Sequence, residues 1–321
     1  GGSASVRGGI IVKADSRIMT VNVSVATVWT TNQSFRELDR PAISHPVRLE
    51  EWLLFMTDRE RLELSKENRT QTQLLFGDQV LLLECENDWA YIIALGQSSG
   101  KDSRGYPGWV PLCQLGYFNP VNTEIRAVIR SKKALLIIKK TGKSLLLSFQ
   151  TALPYIGKKD GKIYVETPLG IGYLHSKDVV LGNMDKSIKK GSSQDIVTCG
   201  ERFVGLPYLW GGTSSYGYDC SGFTYTVHKA TGYLIPRDAG DQAKGGIQIP
   251  LDEVKPGDLL FFAYDEGKGA IHHVGIYYGD GRMLHSPHTG KSIEIISLSN
   301  TNYEKELCMV KRYWKDFDSQ R

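Results

Sequence analysis

No apolar run in this chain reaches the length of a membrane span. The longest pieces, Ala134–Ile138 and Leu145–Leu147, are strand-sized, whereas a spanning helix needs about 20 residues. An excess of either charge is also missing. The 39 Lys and Arg against 35 Asp and Glu leave a net charge of +4, which falls short of a nucleic-acid footprint. Cysteine is sparse and poorly spaced for metal. Cys85, Cys113, Cys199, Cys220 and Cys308 form an odd set of five, so a monomer, the expected state, keeps at least one free thiol. There is no CxxC, and no cysteine pair stands at zinc-ligand spacing to a histidine pair; no metal and no cofactor are expected. A Cys85–Cys113 bridge is left open. The opening Gly-Gly-Ser-Ala-Ser has neither an initiator methionine nor an apolar signal core, and is expected to be a trimmed start from which any export signal has been removed.

What is present has the balance of a globular protein, 41% hydrophobic and 23% charged. At 321 residues two or three domains are expected. Met19–Val23 and Ala26–Trp29 read as strands. Residues 36–69 read as a helical insertion, with Val47, Leu49, Trp52, Leu53 and Met56 near helical spacing. Strand character returns at Thr72–Phe76, Val80–Leu83, Trp89–Leu95 and Trp109–Leu112. An internal echo follows. Asn87-Asp88-Trp89 feeds a strand, with Gly108-Trp109 later; Asp160-Gly161-Lys162 repeats the turn and strand, with Gly172-Tyr173 later. This predicts two small β-barrels of one kind, at 17–117 and 122–183. The first is longer at GQSSGKDSRGYP (96–107), a projecting loop of the sort that carries recognition. Asn183–Gln194, rich in Lys, Ser and Gly, reads as a linker. A helix over Ile196–Phe203 and strands at 258–263, 272–278, 283–285, 292–296 and 309–312 then predict an α+β domain.

The chemistry gathers in two stretches of that last domain. After Cys220, apolar Phe223, Val227 and Ala230 recur at helical spacing, so the thiol sits in a first helical turn with Asp219 as N-cap. The positive end of the helix favours a thiolate there. Taken alone, a free cysteine is more often a small buried hydrophobe. The second stretch, IHHVGIYYGDGRMLHSPH, holds four of the seven histidines and reads as a hairpin. If Gly279-Asp280-Gly281 is a three-residue loop, 275 pairs with 285, and His285 shares a face with Gly275 and His273. The two histidines are then diagonal neighbours, roughly 7–8 Å apart at the backbone. A two-residue Asp280-Gly281 loop, equally suited to these residues, would turn His285 to the other face. On the first register Cys220, His273 and His285 form a nucleophile, a base and an orienting group. His272 points away, and His288 has no role.

Set side by side, YLWGG (208–212), DCSGF (219–223), IPRDA (235–239), KPGDLLFF (255–262), HHVGIYYGDGRMLHS (272–286) and IEII (293–296) resemble the NlpC/P60 family of cell-wall peptidases. The two preceding segments are similar to bacterial SH3-like (SH3b) domains, and the whole order resembles the γ-D-glutamyl-L-diamino acid endopeptidases of the YkfC type. The resemblance implies a papain-like NlpC/P60 domain at 195–315 that cleaves murein stem peptides with a free N-terminal L-Ala. It makes Cys220 the nucleophile, His273 the base and His285 the third residue. Tyr208, Trp210, Asp219 and Ser221 would line the acyl pocket, with Asp219 near the substrate amine. Tyr106, from the long loop, and Asp78, where Glu is usual, would close one end of the groove. At Ala239, where relatives carry Ser, only a backbone contact is expected. The implied setting is the cell envelope, periplasmic or secreted, with cytoplasmic recycling as the alternative. Two rivals stay open: an amidase or acyltransferase on the same fold, and an inactive SH3b wall-binding protein.

Overall fold

The computed structural model describes residues 6–7, 10–11, 17–121, 124–183 and 190–316. The expected trimmed start, residues 1–5, lies outside these residues, as does half of the expected linker, 184–189. The chain divides into two compact units, Gly1–Lys186 and Ser187–Arg321.

The N-terminal unit holds two seven-stranded antiparallel sheets, and they are copies. The first runs, in spatial order, Thr70–Leu75, Val25–Trp29, Tyr106–Pro111, Trp89–Ala94, Gln79–Glu86, Ile18–Val21 and Leu115–Gly116. The second runs Ser144–Ser148, Lys133–Ile138, Gly172–His175, Lys162–Val165, Ala152–Lys159, Ile125–Ile129 and Val179–Asn183. Numbered along the chain, each strand of one occupies the position of its counterpart in the other. The echoed turns are equivalent too. Asn87 and Asp88 in one copy, and Asp160 and Gly161 in the other, all take positive φ between the closing pairs Glu86–Trp89 and Lys159–Lys162, the geometry that suits a twisted hairpin.

The copies differ in their connections. Between the second and third strands the first copy inserts helices Leu49–Phe55 and Asp58–Lys66, where the second has only the short turn 139–143. The insertion is pinned by buried Asp39, which accepts from Arg36 at 3.0 Å and from Trp52 Nε1 at 2.8 Å. Tyr106 follows the long loop 95–105, is buried, and has Lys101 against its ring at 4.8 Å. The turn Phe76-Gly77-Asp78 stays bonded to the first copy through Val21 and Ser24, while its aromatic side chain serves the second. Phe76 packs fully buried among Ala127, Ile129, Leu136, Leu147 and Leu153. Gly77 has φ +88°, and a Cβ there would lie 2.9 Å from Leu153. Asp78 Oδ2 accepts the Leu75 N–H at 2.8 Å, and its charge bears on Arg126 of the second copy. Cys85 and Cys113 are free, exposed thiols.

The C-terminal unit opens with helix Ser193–Glu201, three residues earlier than the sequence pattern suggests. Ser192 and Asp195 cap it reciprocally, and an aspartate at the third helical position carries that signal less plainly than Glu or Gln. Helix Cys220–Ala230 follows. An antiparallel sheet completes the α+β unit in the order Ile247–Gln248, Leu307–Arg312, Leu259–Ala263, Ile271–Gly279, Arg282–His285 and Glu294–Ser297. The Cys220–Ala230 helix packs on Ile271–Gly279 and Arg282–His285, and Phe261 and Phe262 are fully buried in the neighbouring strand.

Because Phe76 belongs to one sheet by sequence and to the other by packing, its truncation should be felt across both. Phe76→Ala is expected to cost about 3–5 kcal/mol, measured by denaturant unfolding. Hydrogen exchange should show lost protection in Ile125–Ile129 and Ala152–Lys159, beyond the sheet in which the substitution lies.

Candidate active site

The cysteine end is built by close backbone packing. Asp219 has extended φ and ψ and caps the helix, its Oδ1 accepting Gly222 N–H at 2.7 Å. A Cβ on Gly222 would fall 2.1 Å from the Gly212 carbonyl oxygen, so the glycines of YLWGG and DCSGF meet backbone to backbone. Asp219 Oδ2 takes Gly211 N–H at 3.0 Å and an Arg237 guanidinium N–H at 2.9 Å. Arg237 is fully buried, and reaches Ser221 Oγ at 2.8 Å and Thr213 Oγ1 at 3.1 Å as well. The sequence reading quoted Arg237 within IPRDA but gave it no role. A basic residue two positions after a buried Ile carries no signal that it pairs with a carboxylate 18 residues earlier.

The histidine end rests on a turn that differs from the expected one. Gly279 pairs with Arg282 across a two-residue Asp280-Gly281 loop, with φ of 53° and 71°. That loop alone would send His285 to the wrong face. A β-bulge between Tyr277 and Gly279 inserts one residue and restores the register, so that Ile276 faces Leu284 and Tyr277 faces Met283. His285 therefore lies opposite Gly275, where an added Cβ would come within 2.3 Å of Met283 Sδ and 3.0 Å of His285 Cβ. The space left by Gly275 lets the two imidazoles meet: His273 Nε2 and His285 Nδ1 are 2.7 Å apart. His272 turns away, bonding Glu306 at 2.7 Å and stacking on Tyr264.

The two ends are brought together by the packing of the Cys220–Ala230 helix on the histidine strands. The backbone N–H groups of Val274, next to His273, and of Ser221 lie where they draw the Cys220 thiol down. Tyr208 is buried where the charges of Cys220 and Asp219 bear on it, and with burial they hold its phenol well above the usual range. The Tyr208 N–H is tied to the Lys291 carbonyl at 2.9 Å; Trp210 is half-buried on the same segment. Tyr303, not singled out in the sequence, closes over both imidazoles with ring centroids at 5.4 Å from His273 and 5.1 Å from His285. Its spacing from the histidines follows no secondary-structure period, so only the fold reveals it.

Electrostatics corrects one expectation. The helix end favours a thiolate, but burial, and then the Asp219 charge, push the Cys220 thiol up to about 12, against the pull of the Val274 and Ser221 N–H groups and Arg237. Desolvation is the largest of these effects. Burial likewise holds His273 well below its usual range, and His285 down to about 3. Burial thus holds all three groups toward their neutral forms.

A helix that begins at a thiol and packs on the strands carrying a histidine pair is the layout of a cysteine peptidase. Residues 205–312 match the NlpC/P60 family, and residues 129–181 match the YKFC SH3b2 domain. The gamma-D-glutamyl-L-lysine dipeptidyl-peptidase of Bacillus subtilis (strain 168) is 49% identical, over 92% of this chain and 99% of that protein. The protein of the same name from Bacillus cereus (strain ATCC 10987 / NRS 248) is 38% identical, over 94% and 92%. The crystal structure of an NlpC/P60 family protein from Bacillus cereus ATCC 10987 superposes with a TM-score of 0.90 at 37% identity, covering 93% of this chain and 100% of that one. The chain belongs to the NlpC/P60 family of cysteine peptidases.

Two outcomes follow for stability. Arg237→Met strands the Asp219 carboxylate and should cost about 3–5 kcal/mol; adding Asp219→Asn should recover part of that in denaturant unfolding. His228, fully buried with Nδ1 2.8 Å from the Thr224 carbonyl oxygen, is held down to about 4 by burial. Between about 6.5 and 4 the unfolded chain binds a proton there and the folded chain does not. Stability is thus lost as pH falls through that window, by about 3 kcal/mol for this group. Thermal unfolding from pH 7 to pH 4 should show a slope that His228→Leu reduces.

Proposed function

We propose that this chain releases L-Ala-γ-D-Glu from murein stem peptides by hydrolysing the bond between the γ-carboxyl of D-Glu and the following diamino acid. The near full-length likeness to the Bacillus subtilis dipeptidyl-peptidase, 49% over 99% of that protein, carries the reading. The 2.7 Å histidine pair beside the Cys220 helix supports it. In this reading the domains are two SH3-like modules, 17–117 and 122–183, and a peptidase domain, 195–315, acting as a monomer in the cell envelope. No helix among the described residues is long and apolar enough to cross a membrane.

In the proposed cycle the Cys220 sulfur attacks the γ-carbonyl carbon while its proton passes to His273 Nδ1, the ring nitrogen not bonded to His285. The carbonyl pair moves onto oxygen, which the positive end of the Cys220–Ala230 helix stabilises. Collapse breaks the C–N bond, and His273 returns the proton to the departing amine. Water then attacks the thioester, giving a proton to His273. The C–S bond breaks, and the sulfur is reprotonated. Asp219 keeps about a tenth of its side chain exposed; through that edge its charge would favour a free ammonium on the substrate, with Tyr208, Trp210 and Ser221 around the acyl part.

Incubation of L-Ala-γ-D-Glu-L-Lys and its diaminopimelate counterpart with wild type and Cys220→Ala, followed by mass spectrometry, tests the reading. Dipeptide should appear with wild type alone, and N-acetylation of the L-Ala should suppress it at least 10-fold. Equal cleavage of acetylated peptide would favour the broader amidase. Dipeptide from both proteins, or from neither, would reject the assignment.

A further inference from the structure

We propose that Glu294 is a positioning residue for the thiol–histidine pair, holding His285 in the one tautomer that leaves His273 able to act as a base. The inference rests on the cysteine peptidase reading above and extends it by one residue. It follows from counting protons along the chain Cys220, His273, His285.

His273 can accept the thiol proton on Nδ1 only if that atom is bare. Its own ring proton is then on Nε2, which must donate to His285 Nδ1 across the 2.7 Å contact. His285 Nδ1 is therefore the acceptor, and neutral His285 carries its proton on Nε2. In the opposite arrangement His285 donates, the His273 proton moves to Nδ1, and the sulfur faces an N–H that can accept nothing. Both arrangements satisfy the 2.7 Å bond equally. Something beyond His285 has to choose.

His285 Nε2 is buried, has no hydrogen-bond partner, and lies 3.6 Å from Glu294 Oε1. Glu294 is the direct cross-strand partner of His285, so both side chains stand on one face of the sheet. A carboxylate only accepts, so it favours the proton on the nitrogen nearest to it. That selects the productive arrangement. When His273 takes the thiol proton, the new positive charge can spread through the His273–His285 bond toward the same carboxylate. At 3.6 Å the pair is longer than a hydrogen bond, and such contacts often shorten when substrate fills a site.

The other ionisable groups around the pair do not compete for this task. Tyr303, on helix Asn302–Glu306, meets the imidazoles ring to ring, and its phenol is pushed up to about 12 by burial, then by Glu294, Cys220 and Glu306. His288, in the following loop, would add only positive charge. Cys220 is influenced by the backbone of Val274, next to His273, and Glu306 is engaged with His272.

The experiment uses the full chain and three variants, Glu294→Gln, Glu294→Asp and Glu294→Leu. Steady-state kinetics on the stem tripeptide are read beside two substrate-independent measurements: the pH dependence of Cys220 alkylation by iodoacetamide, and imidazole tautomers by nitrogen-15 NMR. Wild-type His285 should carry its proton on Nε2. Glu294→Leu should lower kcat about 10- to 100-fold with little change in KM and populate the Nδ1–H tautomer. Glu294→Gln keeps an acceptor but loses the charge. It should retain the tautomer, lose less activity, and move the acid limb of the alkylation profile to lower pH. Glu294→Asp should restore most of what Leu loses. If peptide cleavage is absent even in wild type, the function assignment fails, while alkylation and NMR still decide the role of Glu294. An unchanged tautomer and unchanged alkylation profile in Glu294→Leu would overturn the proposal. So would a lowered melting temperature as the sole effect.

Discussion

The 2.7 Å contact between His273 Nε2 and His285 Nδ1 is the constraint on which the C-terminal unit is arranged. It requires two strands to present imidazoles on one face at diagonal positions, which fixes the hairpin register to the residue. It requires the residue opposite His285 to have no side chain, and Gly275 meets that need. It also occupies His273 Nε2, leaving Nδ1 as the ring nitrogen not bonded to His285, while the Cys220–Ala230 helix packs on the same strand. The glycines and bulge around this contact are the cost of holding two polar rings in a buried position.

Burial gives the site its electrical character. Cys220, His273 and His285 are each driven toward the neutral form by desolvation, while one full charge pair, Asp219 with Arg237, is retained beneath the helix start. Asp219 there fixes the backbone of YLWGG against that of DCSGF, and its partner cancels a charge that would otherwise oppose a thiolate. The candidate site thus pairs its permanent charges and holds its thiol and imidazoles toward their neutral forms.

Much of this was legible in order along the chain. The repeated turn-and-strand pattern disclosed two like sheets, because Asn-Asp and Asp-Gly at positive φ are local requirements that a sequence states directly. The helix after Cys220 and the strands bearing the histidines followed from periodicity. The turn at Asp280-Gly281 did not. Two-residue and three-residue loops suit the same residues, and the correct face for His285 came from a bulge at Tyr278 that no residue type announces. Arg237 and Tyr303 escaped because each meets a partner 18 or more residues away in sequence, and Glu294, nine residues from His285, because the loop between their strands does not announce the pairing register. Asp258 is similar, its carboxylate collecting the Lys255 N–H, Arg312 and Trp314 at 2.7–2.8 Å, so that KPGD anchors the end of the chain as well as its own turn.

The docking of Phe76 in the second sheet has a consequence for how the chain is made. On the ribosome the first sheet emerges complete up to Gly116 while the residues that will enclose Phe76 are still inside the exit tunnel or not yet joined. For that interval Phe76 lacks the residues that bury it in the finished protein. The two copies, alike in strand order, therefore mature in sequence but reach their final burial together, and a nascent chain stalled between them would display a sticky patch that the finished protein hides.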